Sequence, residues 1–169
     1  PIIIRIDEGA KILQHISSEI KQLVLARKKY AVSKIILNQQ ELQLKPTSKL
    51  IEYQFITPWI ALNPINYQKF TQIKDWRQRK NLLNNILIGN ILSMCKGLNT
   101  IVDRKLHAHT LIEVNKINYK SVNVIGFTGK FKVNFQIPNY FGLGKGVSQG
   151  FGAVITASNN PMPNIINTT

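Results

Sequence analysis

The sequence predicts an α+β protein, and three observations support this fold class. Segments 105–114 and 125–137 alternate apolar and polar residues with the period of two that is typical of a half-buried β-strand. Between residues 73 and 94, apolar side chains recur instead at helical spacing. The chain has 169 residues, of which 44% are hydrophobic, enough for one sizeable core or two small ones without disulfides.

The N-terminal part of the chain predicts a strand, a helix and a hairpin. The β-branched run Ile2–Ile6 is typical of a strand, and Asp7 is a helix-capping residue. Apolar residues at helical spacing extend the predicted helix to Val24. Within residues 32–45, two strand-like runs flank Asn38-Gln39-Gln40, which indicates a hairpin.

The rest of the chain predicts a strand, a long helical stretch, two paired strands and a short last strand. Residues 50–56 form the first of these strands. Asn63-Pro64 is typical of a helix start, and Asp75 is expected to restart the helix after a short first segment. Gly97 is expected to end the helix, since glycine tolerates a positive φ. Residues 153–157 form the predicted last strand.

This order is close to the β-α-β-β-α-β order of ferredoxin-like (RRM-like) domains. We therefore predict two such domains, the first incomplete. Residues 1–46 would be the remainder of the N-terminal domain, with Pro46 in a linker, and residues 47–157 the C-terminal domain. Residues 158–169 are predicted to be a flexible tail. Since the chain opens on Pro1 and starts within a strand, we expect further residues upstream.

The charge of the chain favours a polyanionic partner. It has 22 lysines and arginines against 8 acidic residues, a formal net charge of +14 and a pI near 10.1, so nucleic acid is the leading candidate. A membrane partner is not expected, because no apolar run approaches transmembrane length. Cys95 is the single cysteine, which excludes an intrachain disulfide and favours the cytoplasm. No metal site or cofactor is expected.

The glycine-rich segment Gly142–Gly152 is the first candidate binding site. Bare backbone N–H groups approach phosphates closely, and a lysine and a serine add a charge and a hydroxyl. The spacing fits neither a Walker loop nor G-x-G-x-x-G. The alternative interpretation is a tight connector whose glycines serve only the backbone. The candidate RNA-binding residues of the segment are Gly142, Gly144, Lys145, Gly146, Ser148, Gly150 and Gly152.

Other candidates lie on the predicted sheet and helix. Lys130 and Lys132 are expected to share a sheet face with His107 and His109. The histidines are weak catalytic candidates; the alternative is that they face solvent or contact RNA without reacting. A basic cluster at the helix start, consisting of Arg77, Arg79 and Lys80, is a further candidate for phosphate contacts or is an ordinary solvated surface.

Several stretches of this sequence resemble one family. GLGKGVSQGFG (142–152), lying just before a last strand, is similar to the C-terminal glycine-rich loop of CRISPR-associated endoribonucleases that process repeat RNA. FITPWIALN (55–63), RKNLLNNILIGNILSMCKGL (79–98) and the stretch 124–152 resemble the subtype with this family's C-terminal ferredoxin-like domain. The resemblance covers nearly the whole chain, from about Pro1 to Ala157.

The resemblance implies binding of CRISPR repeat RNA and its metal-independent cleavage through the adjacent ribose 2′-hydroxyl, leaving a cyclic phosphate. Other CRISPR effector subunits would be possible further partners, and the oligomeric state stays open. In similar proteins the catalytic histidines lie in a segment of the N-terminal domain that would fall before Pro1. The catalytic residues of the whole protein are therefore unknown from this sequence.

Besides cleavage of repeat RNA, two alternatives remain open from the sequence. One is a non-catalytic RNA-binding module, such as a subunit of a CRISPR ribonucleoprotein, and the other is a ferredoxin-like domain that binds another protein. Salt-sensitive RNA binding favours the first over the second, because phosphate contacts release counterions.

Overall fold

The computed structural model describes residues 7–35 and 43–158. The chain divides into two compact units, residues 1–42 and residues 43–169. The predicted strand Ile2–Ile6, residues 36–42 of the predicted hairpin around Asn38-Gln39-Gln40, and all of the predicted tail except Ser158 lie outside the described residues. The described residues 32–35, predicted to be the first strand of that hairpin, form no strand.

The first unit contains a helix followed by a hairpin. Helix α1 spans Asp7–Glu19, strand β1 spans Gln22–Leu25 and strand β2 spans Lys28–Ala31. The two strands pair antiparallel, with Leu25 opposite Lys28. The prediction of a helix reaching Val24 is therefore wrong. The two-residue turn has positive φ at both Ala26 and Arg27, as a type I′ turn requires, yet it lacks the glycine or asparagine that usually marks one.

The second unit has one four-stranded sheet with two helices. Strand β3 spans Lys45–Trp59, helix α2 spans Pro64–Gln72 and helix α3 spans Trp76–Gly97. Strand β4 then spans Ala108–Tyr119, β5 spans Val122–Gln136 and β6 spans Val154–Thr156, with a single 3-10 turn at Val147–Gln149.

The topology of this sheet is ferredoxin-like. The strand order is β4-β5-β3-β6, and all neighbours pair antiparallel. This is the order expected of a β-α-β-β-α-β unit in which the glycine-rich segment, with its one 3-10 turn, replaces the second helix. The predicted α+β fold class is confirmed. That the first unit is part of a second ferredoxin-like domain stays a prediction.

The strand β3 begins earlier than the sequence indicated. Pro46, predicted to lie in a linker, pairs with Phe135 of β5 inside the second unit. Proline lacks an N–H and is tolerated near the start of a strand, and a register irregularity between Pro46 and Ile51 separates it from the main ladder.

The helix starts and the end of the long helix agree with the sequence, but the residue with positive φ after that end differs. The Asn63 side chain accepts a hydrogen bond from the Asn66 N–H at 2.8 Å, and the Asp75 carboxylate accepts one from the Arg77 N–H at 2.6 Å. Helix α3 ends at Gly97, but the residue with positive φ is Asn99, at 51°. The predicted end at Gly97 is confirmed, but the positive φ expected there lies at Asn99, a residue type that tolerates this conformation.

The core lies between the sheet and the two helices. Alternate side chains of β5, from Phe127 to Phe135, are buried as the period of two predicted. Asn134, which the same pattern predicted to face solvent, is only 8% exposed. Ring contacts run continuously through the core, with centroid distances between 4.9 and 5.8 Å. The residues in this aromatic column are Tyr53, Phe131, Phe55, Trp59, Phe127 and Phe70.

Within the described ranges 7–35 and 43–158, no helix combines the length and apolar character needed to cross a bilayer.

Replacing Tyr53 with phenylalanine is expected to destabilise the second unit by about 1–3 kcal/mol. The fully buried Tyr53 hydroxyl accepts a hydrogen bond from the Ile137 N–H at 2.8 Å and lies 3.3 Å from the Phe135 carbonyl oxygen, to which it donates. Without the hydroxyl, both backbone groups lose their partner in the core. Urea unfolding monitored by fluorescence measures the change. Tyr67→Phe, at an exposed position of α2, is the matched control and should unfold like the wild type.

Candidate nucleic-acid interface

The glycine-rich segment is held at both ends by the end of β3. The Lys145 N–H donates to the Ile60 carbonyl at 3.0 Å, and the Gly152 N–H donates to the Pro58 carbonyl at 2.9 Å. The Leu143 N–H also donates to the Gly152 carbonyl at 3.0 Å, which closes the segment into a loop. The ends of the loop are therefore built into the sheet.

Glycines at the two ends of the loop are needed by the packing. A Cβ at Gly144 would lie 2.7 Å from Nε1 of the buried Trp59, and a Cβ at Gly152 would overlap the Leu143 carbonyl oxygen. Both residues also have positive φ, +88° and +69°. Here the alternative interpretation holds, because these two glycines serve the connector itself.

The middle of the loop differs from its ends. The side chains of residues 147–150 are exposed, and a methyl group at Gly150 would meet nothing within 4 Å. Gly146 is left-handed, with φ 78° and ψ 19°, and is followed directly by the 3-10 turn. Within the described part of the chain, the N–H groups of Gly146, Val147 and Ser148 donate to no other residue. Successive free N–H groups beside a left-handed residue form the concave arrangement called a nest, which binds anions.

The tip of the β4–β5 hairpin contacts this loop. Lys120 and Ser121 form a two-residue turn with φ of 52° and 63°. The Tyr119 ring meets the Phe151 ring edge-on at 5.6 Å. The ammonium groups of Lys120 and Lys145 both lie near the Tyr119 ring, at 5.7 and 5.8 Å from its centroid. The contact brings two lysines and an aromatic ring beside the free N–H groups of the loop.

Sequence reasoning missed Tyr119 and Lys120. The predicted strands stopped at Val114 and began again at Ile125, so the hairpin tip was not recognised. Its turn has neither glycine nor asparagine, although it needs positive φ at both positions. The signal that could have found it was the apolar and polar alternation that resumes at Ile117 and Tyr119, after a change of phase at Asn115-Lys116.

Lys130 and Lys132 lie on the open face of the sheet, as predicted, but share an acidic neighbour. Each ammonium group lies 3.4 Å from a carboxylate oxygen of Glu52 on β3. The hydrogen bond from Lys132, with help from Lys130, holds the pKa of the Glu52 carboxyl below its ordinary value, although partial desolvation opposes this. Glu52 therefore stays ionised to a lower pH than a free glutamate does. While it is ionised, its negative charge offsets part of the positive charge of Lys130 and Lys132.

The basic cluster at the start of α3 divides into two parts. The Arg79 Nε–H donates to the Ile73 carbonyl at 2.6 Å, and its guanidinium lies 5.0 Å from the Phe70 ring centroid. Arg79 therefore ties the two helices together. Arg77 is exposed beside the exposed Trp76 ring, at 5.6 Å, and Lys80 is half-buried. These two side chains are the more accessible to a ligand.

His107 and His109 are exposed at the start of β4. His109 pairs with Lys132 across the β4–β5 ladder, which is the shared face that the sequence predicted. The strand β4 is 12 residues long and Tyr119 lies at its other end, so the histidines lie about 35 Å along the strand from the hairpin tip at Tyr119. Among the described residues, no three His, Cys, Asp or Glu side chains come together as a metal site would require.

Comparisons with known proteins agree with this architecture. Residues 45–157 match the model of the Cas6b C-terminal domain. The chain belongs to the Cas6b family. It is also 44% identical over 144 residues to the protein MJ0978 of Methanocaldococcus jannaschii, across 73% of this chain and 97% of that one.

Two solved Cas6b structures are similar to this fold. One, a crystal structure of Cas6b, has a TM-score of 0.83 and 33% identity, covering 89% of this chain and 69% of that chain. The other is a crystal structure of the CRISPR RNA processing endoribonuclease Cas6b. It has a TM-score of 0.71 and 28% identity, covering 92% and 93% of the two chains. The family resemblance found in the sequence is confirmed.

Two glycine substitutions test which part of the glycine-rich loop is closely packed. Gly152→Ala is expected to lower the midpoint of thermal unfolding strongly, because its methyl group overlaps the Leu143 carbonyl. Gly150→Ala has open space and the same left-handed strain, so it should cost only about 1 kcal/mol. Differential scanning calorimetry compares the two variants. Equal destabilisation would mean that the loop is not packed against itself.

Proposed function

We propose that this Cas6b family member binds CRISPR repeat RNA and cuts it to give guide RNA. The proposal is supported by family membership and by similarity to a solved relative, the CRISPR RNA processing endoribonuclease Cas6b. The observation that carries it on this chain is the cluster formed by the nest at Gly146–Ser148, Lys145 and the hairpin tip. We call this cluster the loop–hairpin surface.

The loop–hairpin surface suits a ribose-phosphate chain. Three free N–H groups and the Ser148 hydroxyl donate hydrogen bonds, while Lys145 and Lys120 supply charge. A ring at Tyr119 offers a face to a base, which is the usual companion of cations at sites for unpaired RNA. In the described ranges, the side-chain ion pairs are those of Glu52 and of His15 with Glu19, so none neutralises the loop–hairpin surface.

For the reaction we propose attack of the ribose 2′-oxygen on the adjacent phosphorus. The P–O5′ bond breaks, and the products are a 2′,3′-cyclic phosphate and a free 5′-hydroxyl. A base takes the 2′-OH proton, an acid returns a proton to the leaving 5′-oxygen, and cations stabilise charge on the phosphate oxygens. This pathway is implied by the family resemblance. We assign binding of the phosphate chain to the loop–hairpin surface, and no catalytic base to the described residues.

Removing both lysines of the surface should weaken RNA binding. Lys120→Ala with Lys145→Ala is expected to raise the Kd for a repeat RNA about tenfold at ~0.15 M salt. It should also lower the slope of log K against log salt by about 1.4, because each lost phosphate contact removes ~0.7 for a single strand. Fluorescence anisotropy across a salt series measures both. The control is Lys49→Ala with Lys96→Ala, two exposed lysines outside the surface, and an equal loss in the control would contradict the assignment.

Glu52→Gln should strengthen RNA binding severalfold if Lys130 and Lys132 contact RNA. The change removes the carboxylate that lies 3.4 Å from both ammonium groups and keeps the size of the side chain. The same anisotropy assay measures the effect. An unchanged Kd would exclude this face from the RNA contact, while leaving the loop–hairpin surface in place.

Cleavage is tested on the full-length protein with a repeat RNA in EDTA. We expect a product ending in a cyclic phosphate, identified by mass spectrometry, and no product when the nucleotide before the cut carries a 2′-deoxyribose. Cleavage of the deoxy-substituted RNA would contradict the 2′-OH pathway. Tight binding without any cleavage would instead support the non-catalytic RNA-binding alternative.

A further inference from the structure

A groove of about 880 Å³ lies between helix α3 and the segment leading into β4. Its helical wall carries Asn81, Asn84 and Asn85, followed by Ile88 and Leu92, and its other wall is residues 102–109. We call it the α3–β4 groove. It contains His107 and His109, which the loop–hairpin surface does not use.

The shape of the groove is held by two side-chain amides, the buried Asn134 and the half-buried Asn84. The Asn134 side chain accepts a hydrogen bond from the His107 N–H at 2.6 Å and donates one to the Lys105 carbonyl at 3.0 Å. The Asn84 side-chain oxygen accepts from both the N–H and the hydroxyl of Thr110, each at 2.8 Å. Asn134 and Thr110 are buried, and buried hydrogen bonds of this kind fix a segment in one position. The wall formed by residues 102–109 is therefore rigidly attached.

Three polar side chains of the groove are left without partners. Asn81, Asn85 and His107 are exposed, and within residues 43–158 their side chains form no hydrogen bond. An asparagine amide carries both a donor and an acceptor and pairs with base edges, while imidazole rings stack on bases. The free groups of the groove are those that recognise an unpaired nucleobase.

The chemistry of the groove changes along its length. Arg104 and Lys105 bring two permanent positive charges against the one carboxylate of Asp103. Leu106 is buried and Ile88 is half-buried, so the part of the groove that these two residues line is apolar. A nucleotide has the matching arrangement, a flat base attached to an anionic phosphate.

The groove is separate from the loop–hairpin surface. Both touch β4, but the groove lies at Ala108 and the hairpin contact at Tyr119, the two ends of a 12-residue strand. At about 3.4 Å per residue the two sites are roughly 35 Å apart. A single nucleotide cannot contact both.

We propose that the α3–β4 groove binds one unpaired nucleotide of RNA and selects its base. Asn81 and Asn85 contact the base edge, His107 its ring, and Arg104 and Lys105 its phosphate. The inference rests on the proposed function, since it takes the nucleotide to come from the RNA that the loop–hairpin surface binds. An acidic peptide would also meet the two cations, but the two amide side chains and the imidazole ring of His107 favour a base.

Asn81→Ala with Asn85→Ala tests the selection of the base. We expect the Kd for the repeat RNA to rise about tenfold, a typical value for losing a good base contact, and the Kd for a homopolymer without the preferred base to stay the same. Alanine at these exposed helical positions leaves the fold intact. Ser93→Ala, on α3 outside the groove, is the control. Arg104→Ala with Lys105→Ala should weaken both RNAs alike and lower the salt slope.

Proton NMR of the His107 ring signals, assigned with His107→Gln, identifies the ligand. We expect a short single-stranded repeat oligonucleotide to shift them. A shift by uridine or adenosine 5′-monophosphate at equal affinity would mean a free-nucleotide site and would overturn selection of RNA. A shift by a glutamate-rich peptide but not by the oligonucleotide would overturn it in favour of a protein partner.

Failure of this inference is distinguishable from failure of the proposed function. If the groove variants bind repeat RNA like the wild type while Lys120→Ala with Lys145→Ala binds it weakly, only the groove assignment is wrong. If the wild-type protein binds no RNA, both proposals fail together.

Discussion

The second unit depends on the pairing of strand β3 along both of its edges. Its residues 53–55 pair with β5 on one side and β6 on the other, and its end at Pro58 to Ile60 accepts the hydrogen bonds that hold the glycine-rich loop. Trp59, at this end, is fully buried and stacks on Phe55. The loop can lie where it does because Gly144 leaves room above the indole ring. Sheet, core and loop are thus joined at one strand end.

This arrangement explains why one loop serves both structure and binding. The ends of the loop are held by close packing at their glycines and by backbone hydrogen bonds. These contacts keep the middle of the loop in one position. Gly146 then starts a single turn whose first three N–H groups donate to none of the described residues. A site held by a rigid frame loses less conformational entropy on binding than a flexible one does. The structural interpretation of the glycines and the functional one therefore apply to different residues of the same segment.

Positive charge is spread over the chain, and its surroundings decide which part of it is available. Arg79 is occupied by the Ile73 carbonyl and the Phe70 ring, and Lys130 and Lys132 share Glu52. Lys120 and Lys145 lie near the Tyr119 ring and form no ion pair within residues 7–35 and 43–158. A net charge of +14 indicates a polyanionic partner, but the number of cations alone does not locate the contact.

The sequence by itself determined the α+β class, the helix caps at Asn63 and Asp75, the buried face of β5 and the family. These follow from local periodicity, capping chemistry and residue type, which are properties of short segments. Tertiary structure alone decided that Leu23 and Val24 lie in a hairpin strand, that Asn134 is buried, and that Tyr119 contacts the glycine-rich loop. Each of these depends on a partner distant in sequence, or on a turn with positive φ at residues that rarely adopt it. Local pattern carries no information about such partners, because the energy that selects them comes from packing between segments.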